Sequence, residues 1–177
     1  MAAHISNGKK WLMFGLVTAI GAFLDILTKY FAVKALVPGV AVSIIGEYAQ
    51  FMLLFNRNAI FGLDPRGLFP GLQLNLVYYI FSTAAIILLL TYFVTVRGGW
   101  LTCWGIALIM PGALGNLYDR LLYPQRGVVD FIKLGISDRI YWPVFNLADA
   151  YITVGVGLIL FELAREEFRR KKHLRQA

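Results

Sequence analysis

The sequence contains very little of the chemistry on which many enzymes depend. Of its 177 residues, one is a cysteine, Cys103, and two are histidines, His4 and His173, near the two ends. A single cysteine excludes an intrachain disulfide and a cysteine-based metal site. Histidine is missing from every long hydrophobic segment, so a serine or cysteine nucleophile there would lack a histidine base. Cys103 itself lies in a hydrophobic run and is assigned no function.

Charge is also scarce. Only 15% of the residues are charged, 59% are hydrophobic, and the mean hydropathy is +0.67, which is typical of a protein that folds in a lipid bilayer. The net charge of +7 does not indicate nucleic-acid binding, because no basic stripe alternates with aromatic residues. Many of the basic residues fall instead between Arg165 and Arg175. Such a cluster sets membrane topology and contacts anionic lipid.

Four segments are apolar over the roughly 20 residues that a helix needs to cross the hydrocarbon. We predict a single membrane domain, 1–177, with spans over 11–30, 72–96, 101–122 and 147–168, external segments 31–71 and 123–146, and a basic tail, 169–177. The first span is too long for the apolar region of a signal peptide and is expected to be retained. Basic residues at the N-terminus, between spans two and three and in the tail share one side, which the positive-inside rule places in the cytoplasm.

The first external segment contains a stretch that is neither a span nor a simple loop. Residues 44–63 read IIGEYAQFMLLFNRNAIFGL, and the core of this stretch, 51–55, has the composition of a strand. It is too short and too often interrupted by polar residues to cross a membrane. We therefore predict a partly interfacial or β-structured external element on an otherwise all-α membrane protein.

Aspartates occur at similar depths in three of the spans, although each costs a few kcal/mol to insert near the bilayer centre. At 1.5 Å per residue, Asp25 lies ~21 Å and Asp119 ~27 Å from the cytoplasmic edge. Asp149 is in the first turn of the last span, which enters from the outside, and Asp130 follows span three after a short polar stretch. The sequence therefore predicts one layer of carboxylates near the external boundary.

Each of these polar groups also has a local structural explanation. The i, i+4 spacing of Asp25 and Lys29 favours a structural ion pair. Asp119 and Arg120 fit an end-of-helix pair that reaches toward the interface, and Asn146 fits the N-cap of the last span. None of these explanations accounts for the shared depth of the carboxylates.

Two carboxylates held close together share a proton and activate a water molecule between them, as in aspartic proteases. A hard divalent cation bound by aspartate and asparagine oxygens is a weaker alternative, because no histidine is available in the spans. A proton- or cation-coupled transporter would place its carboxylates nearer the midplane and show internal repeats, which are not evident. A metal-dependent lipid-head-group transferase would require a metal and would normally act on the cytoplasmic side.

Five motifs in order resemble those of the prolipoprotein signal peptidase family, signal peptidase II. The family motif D-Q-x-T-K is matched by DILTK, N-x-G-A-A-F by NRNAIF, G-A-L-G-N-x-x-D-R by GALGNLYDR, V-V-D-F by VVDF and F-N-x-A-D by FNLAD. These matches occupy residues 25–29, 56–61, 112–120, 128–131 and 145–149. Each motif alone is weak, but five in this order within a four-span protein are very specific.

The resemblance implies roles for particular residues. Asp130 and Asp149 would be the catalytic pair. The positions expected to line the site and orient substrate are Asn56, Asn116, Arg120 and Asn146. The supporting polar positions are Asp25, Lys29 and Asp119. No metal and no cofactor is expected.

The resemblance also implies a substrate and a setting. The family cleaves signal peptides just before a cysteine that carries a diacylglyceryl group, and the cyclic peptide globomycin occupies its site. We therefore expect diacylglyceryl-modified prolipoproteins, membrane lipids and globomycin-type inhibitors as partners, no nucleic acid, and a monomer in the bacterial cytoplasmic (inner) membrane. Both termini would be cytoplasmic and the site extracytoplasmic. The family's β-cradle and short interfacial helix would fall within 44–71.

Three residues depart from the family motifs. Ile26 replaces the usual glutamine, Asn58 replaces glycine, and Ile60 replaces a small residue. Asn58 suits a left-handed backbone position, because asparagine adopts that conformation more readily than most residues. Ile60 is bulkier than the residue it replaces, so preferences for lipid or inhibitor are expected to differ.

Overall fold

The computed structural model describes residues 7–57, 74–96, 99–137 and 139–174. Its elements in chain order are α1 (Asn7–Ala35), β1 (Ala41–Ile45), β2 (Ala49–Asn56), α2 (Leu74–Thr95), α3 (Trp100–Leu122), β3 (Val128–Ser137), β4 (Ile140–Tyr141) and α4 (Leu147–Leu174). Among the described residues, four helices are long and apolar enough to cross a membrane, and each overlaps one predicted span. Helices α1 and α4 run past those spans, because helical structure continues into polar residues beyond the apolar window.

Helix α3 is the centre of the bundle and packs against α1, α2 and α4. Within the 18-residue apolar stretch of α3, 50% of the residues are buried inside the protein, against 6% in the corresponding stretch of α2. At the contact with α4, a Cβ atom added to Gly105 would lie 2.7 Å from the carbonyl oxygen of Gly155. Small residues allow helix backbones to approach closely in membranes, so this glycine pair defines the α3–α4 contact.

The helical core lies toward the end of the bundle where α1 begins. Phe14 of α1 and Phe93 of α2 stack with ring centroids 4.3 Å apart. Cys103, Ile106 and Met110 of α3 complete this cluster. Cys103 is only 1% exposed and therefore packs as a small apolar side chain.

An antiparallel sheet in the order β1-β2-β3-β4 covers the other end of the bundle. The predicted strand near 51–55 lies within β2, but β3 and β4 come from the second external segment, where no strand was predicted. The sequence of β3, VVDFIKLGIS, places apolar residues side by side and breaks them with Asp130 and Lys133, so it lacks the regular alternation that marks a half-buried strand. The interfacial helix expected within 44–71 would fall mainly on residues outside the described ranges.

The sheet packs one face onto the end of α1 and thereby orients Asp130. Ala32 of α1, Leu53 of β2, and Val129 and Phe131 of β3 form a second buried cluster. Successive side chains of a strand point to opposite faces. Asp130, between Val129 and Phe131, therefore points away from this cluster.

Candidate active site

Main-chain hydrogen bonds join the two segments that carry Asp130 and Asp149. The carbonyl oxygen of Phe145 accepts hydrogen bonds from the amides of Phe131 (3.0 Å) and Ile132 (2.8 Å). The amide of Phe145 donates back to the carbonyl oxygen of Ile132 at 3.0 Å. Residues just after Asp130 are thus fixed beside the residue that precedes helix α4. The separation of the two carboxylates is set by backbone geometry.

Asn146 is the N-cap of α4, as one of the local explanations predicted. Its Oδ1 accepts a hydrogen bond from the amide of Asp149 at 2.9 Å. In return, Oδ2 of Asp149 accepts one from the amide of Asn146 at 3.2 Å. This reciprocal pair is a capping box, in which two otherwise unpaired helix amides are satisfied. The carboxylate of Asp149 is therefore held by the helix end to which it belongs.

The side-chain amide of Asn146 also reaches the other carboxylate. Its Nδ2 is 2.7 Å from Oδ1 of Asp130. The same nitrogen lies 3.2 Å from Oδ1 of Asn116 and 3.2 Å from the carbonyl oxygen of Val129. Asn146 is completely buried (0% exposed). One buried side chain therefore links both predicted catalytic aspartates.

Two further asparagines hold the remaining carboxylate oxygens. Asn56, at the end of β2, donates from Nδ2 to Oδ2 of Asp130 at 3.0 Å. Asn116, on α3, donates from Nδ2 to Oδ1 of Asp149 at 2.9 Å. Asp130 is only 3% exposed, whereas Asp149, Asn56 and Asn116 are half-buried. The open side of the site therefore lies toward Asp149 and these two asparagines.

The environment of Asp130 favours its protonated form. Desolvation by burial and then the negative charge of Asp149 raise the pKa of Asp130 from its ordinary 3.8 to about 7. Hydrogen bonds from Asn56 and Asn146 act in the opposite direction but are outweighed. Below pH 7 the pair therefore holds one proton more readily than two isolated carboxylates would.

Lys29 connects the supporting carboxylates to the site. Its Nζ lies 2.7 Å from Oδ2 of Asp25 and 3.1 Å from Oδ2 of Asp119, and it donates to Oδ1 of Asn116 at 3.0 Å. Lys29, Asp25 and Asp119 are all at least 97% buried. The predicted Asp25–Lys29 ion pair is thus present, and it extends to a second helix. Removing one member would leave an uncompensated buried charge, which is strongly destabilising.

The two supporting aspartates also hold the elements that carry the pair. Oδ1 of Asp25 accepts a hydrogen bond from the amide of Ala148, in the first turn of α4, at 2.9 Å. Oδ2 of Asp119 accepts one from the amide of Val129, next to Asp130, at 3.1 Å. Through these two hydrogen bonds, helix α1 holds the first turn of α4, and helix α3 holds the strand β3 beside Asp130.

Arg120 does not make the end-of-helix pair with Asp119 that local spacing allowed, because Asp119 faces Lys29 and β3. The guanidinium of Arg120 lies over the ring of Tyr78 at 4.5 Å, and its Nη1 donates to the carbonyl oxygen of Asn116 at 3.3 Å. Arg120 is half-buried beside the site. Its charge is therefore available to a group that enters next to the carboxylates.

Sequence reasoning did not identify the main-chain partners of the site, because an amide or carbonyl leaves no signature in residue type. It also gave no role to Gly115, although Gly115 is part of a matched motif. A Cβ atom at Gly115 would lie 2.2 Å from Oδ2 of Asp25. The available signal was its place in the motif GALGNLYDR, next to the polar positions of span three.

Gly115→Ala should therefore lower both stability and activity. The added methyl would displace a carboxylate that Lys29 and the Ala148 amide hold in place, and overpacking of this kind costs roughly 1–3 kcal/mol. Gly157→Ala is the matched control, because a Cβ atom at Gly157 meets nothing within 4 Å. Thermal unfolding in detergent and turnover would be measured for both. Equal behaviour of the two variants would contradict the role given to Gly115.

Asn58 and Ile60, two of the three departures from the motifs, lie outside the described residues, as does Phe61 of the same motif. Over the ranges that are described, no group of three or more histidine, cysteine, aspartate or glutamate side chains is arranged to hold a metal ion. The positive charge that faces Asp25 and Asp119 is that of Lys29.

Fold and site together define a polytopic membrane protein with a buried carboxylate pair where a small sheet meets the helix ends. The family described as Signal peptidase (SPase) II matches residues 17–165. The chain belongs to that family. Membership favours a peptidase over the transporter and the transferase considered above.

Lipoprotein signal peptidases of several bacteria are similar in sequence to nearly the whole of this chain. A lipoprotein signal peptidase of Dichelobacter nodosus is 37% identical over 154 residues, which is 87% of this chain and 95% of the relative. Those of Clostridium novyi (36% identical, 85% and 97% covered) and Aquifex aeolicus (36% identical, 86% and 85% covered) are similar to the same extent.

Solved structures support the fold. A bacterial membrane enzyme solved by the in meso method at 2.3 Å resolution is similar with a TM-score of 0.72 and 27% identity, covering 94% of each chain. A second, at 1.9 Å resolution, has a TM-score of 0.71 and 26% identity, covering 92% of this chain and 97% of the other. The predicted four-helix membrane fold with a small sheet is therefore confirmed.

Proposed function

We propose that this protein is an aspartic endopeptidase that removes the signal peptide from diacylglyceryl-modified prolipoproteins, cutting just before the lipidated cysteine. The observation that carries the proposal is the link between Asp130 and Asp149 through Asn146, which bonds to both. Membership of the signal peptidase II family supports the substrate class.

In the proposed mechanism the pair shares one proton. Asp149, the less buried of the two, accepts a proton from a water molecule that attacks the scissile carbonyl. Asp130, whose raised pKa favours the neutral form, donates its proton to the carbonyl oxygen. The tetrahedral intermediate collapses when the peptide nitrogen takes the proton held by Asp149 and a hydroxyl of the intermediate returns a proton to Asp130. The C–N bond breaks, the products are a carboxyl and an amine, and no cofactor takes part.

The surrounding polar residues position the pair and the substrate. Asn56 and Asn116, which are both half-buried, each hold one carboxylate oxygen of the pair. Arg120, which is half-buried beside the site, would contact a substrate carbonyl. Asp25, Lys29 and Asp119 act through the elements they tie together, so they are positioning residues.

The family and the four long apolar helices support the setting. The chain is a multi-pass protein of the bacterial inner membrane, and its site lies at the start of α4. We propose that both termini are cytoplasmic and that the site opens near the extracytoplasmic face, as the positive-inside rule predicts. The diacylglyceryl group would then stay in the outer leaflet while the cleavage point meets the carboxylates.

Purified protein in detergent–lipid micelles tests the proposed function. A diacylglyceryl-modified precursor should be cut once, and mass spectrometry should show the lipidated cysteine at the new N-terminus. A precursor that lacks the lipid should not be cut. EDTA should leave turnover unchanged, and globomycin should block it. Cleavage at another position, or equal cleavage of both precursors, would refute the proposal.

The pH dependence of turnover should report the pair. Because the pKa of Asp130 is raised to about 7, its proton is present below that pH and is lost as pH rises through it. Turnover should therefore fall above about pH 7, as the second carboxylate ionises and the acid function disappears. The measurement is kcat against pH with a lipidated precursor. A rate that keeps rising past pH 9 would contradict the shared proton.

A further inference from the structure

A stripe along the C-terminal part of α4 combines aromatic and basic side chains. It forms a shallow groove, and its lining residues are Phe161, Ala164, Arg165, Phe168, Arg169 and Lys172. Their spacing of three and four residues places them on one face of the helix. Phe161, Phe168, Arg169 and Lys172 are exposed, and Arg165 is partly exposed. This face, which we name the α4 stripe, is far from the carboxylate pair.

The basic residues near the α4 stripe fall into two groups. Arg170 and Lys171 point away from it and pair with Glu167, at 3.0 Å and 3.5 Å. Arg169 and Lys172, on the stripe, have no acidic partner within the part of the chain that the structure describes. The stripe therefore carries positive charge that no carboxylate in the described ranges pairs with.

Arg165 is held in place on the stripe by a buried carboxylate. Its Nη2 lies 2.7 Å from Oε1 of Glu162, and Glu162 is only 2% exposed. Oε1 of Glu162 also lies 2.1 Å from the place where a Cβ atom of Gly99 would be, so the carboxylate is wedged against the start of α3. Glu162 neutralises one of the three cations and fixes its direction.

The depth of the stripe corresponds to the lipid head groups. Counted from Leu147 at 1.5 Å per residue, Phe161 lies ~21 Å, Arg165 ~27 Å and Arg169 ~33 Å along α4. A hydrocarbon layer about 30 Å thick therefore ends among these basic residues. Trp11 and Trp100, at the starts of α1 and α3, are 41% and 43% exposed, as expected of residues at a membrane interface.

We propose that the α4 stripe binds an anionic phospholipid at the membrane boundary opposite the carboxylate pair. The head-group phosphate would lie among Arg165, Arg169 and Lys172, and an acyl chain would run along Phe161. Charge complementarity selects an anionic lipid, since a zwitterionic head group brings no net charge to the two uncompensated cations. The aromatic side chain of Phe161, on the hydrocarbon side of the three cations, selects a lipid over a soluble phosphate. The proposal does not depend on the proposed function.

The test uses the full chain in nanodiscs of phosphatidylglycerol and phosphatidylcholine. Lipid retained on the released protein is counted by native mass spectrometry. The parent should retain phosphatidylglycerol in preference to phosphatidylcholine. The double variant R169Q/K172Q should lose that preference about tenfold, since each basic residue near the head groups contributes a few-fold.

The double variant R170Q/K171Q is the matched control. It removes the same charge from the same helix but at positions already paired with Glu167. It should retain phosphatidylglycerol within about twofold of the parent. An equal loss in both double variants would show that only diffuse charge matters and would overturn the proposed site. A parent protein that shows no preference for phosphatidylglycerol would also overturn the proposed site. If R169Q/K172Q fails to fold, the single variants R169Q and K172Q replace it. Each should lose part of the preference for phosphatidylglycerol, less than the tenfold loss expected of the double variant.

Discussion

Asp130→Asn and Asp149→Asn should each lower turnover of a diacylglyceryl-modified precursor by roughly 10³-fold or more, because each removes a proton acceptor or donor that contributes up to about 10⁴-fold. The two losses should not add in the double variant, since the carboxylates act as one unit. The measurement is kcat with purified protein in mixed micelles. Full turnover by either single variant would refute the catalytic assignment.

These losses should occur without loss of the fold, and the stability of Asp130→Asn gives an internal check. The pKa of Asp130 is raised in the folded protein to about 7, against 3.8 ordinarily. The folded state therefore binds more protons than the unfolded state between these values, and the parent loses stability as pH rises from about 4 to 7. Asparagine cannot ionise. The variant should thus gain stability relative to the parent over this interval, as expected where activity requires a destabilised group.

A matched amide substitution away from the site completes the comparison. Glu167→Gln changes a carboxylate to an amide on the exposed part of α4, where Glu167 pairs with Arg170 and Lys171. Exposed ion pairs contribute little, so turnover and thermal stability should both stay near those of the parent. A large effect of Glu167→Gln would show that loss of turnover is not specific to the carboxylate pair.

The layer of carboxylates could be predicted from sequence because the bilayer fixes both helix length and depth. Once four apolar segments are placed, a count along each puts Asp25, Asp119 and Asp149 near the same boundary. The i, i+4 pair of Asp25 and Lys29 and the N-cap of α4 were predictable for a different, local reason. Each depends on spacing within one helix.

The contacts between elements could not be predicted in this way. Residues 123–146 supply two of the four strands, and β2 pairs with β3 across a distance of about 80 residues in the chain. Pairing over such a distance leaves no mark in local composition. Lys29 likewise reaches Asp119 on another helix, and the amide of Ala148 reaches Asp25. Local spacing suggested Arg120 as the partner of Asp119, whereas tertiary packing selects Lys29.

Asn146 is the residue at which the local and the tertiary roles meet. Its Oδ1 caps the helix through the amide of Asp149, and its Nδ2 holds Asp130. The N-cap explanation and the catalytic explanation of this position are therefore compatible, since each uses a different atom of the same side chain. Substitutions that remove one atom and keep the other can separate the two roles.

Asn146→Ala removes both atoms and should lower stability by about 1–2 kcal/mol, the usual value of an N-cap. It should also lower turnover by roughly 10²-fold or more, because Asp130 loses the 2.7 Å hydrogen bond that holds it relative to Asp149.

Asn146→Ser keeps an oxygen that can cap the amide of Asp149 but lacks the Nδ2 that reaches Asp130. It should therefore recover most of the stability that Asn146→Ala loses while its turnover stays low. Thermal unfolding and kcat for the two variants measure these effects separately. Recovery of turnover by serine would mean that the cap alone aligns the pair. Parent-like stability of Asn146→Ala would mean that α4 does not need the cap. The expected pattern, with stability restored and turnover not, follows only if one asparagine both starts the helix and spaces the carboxylates.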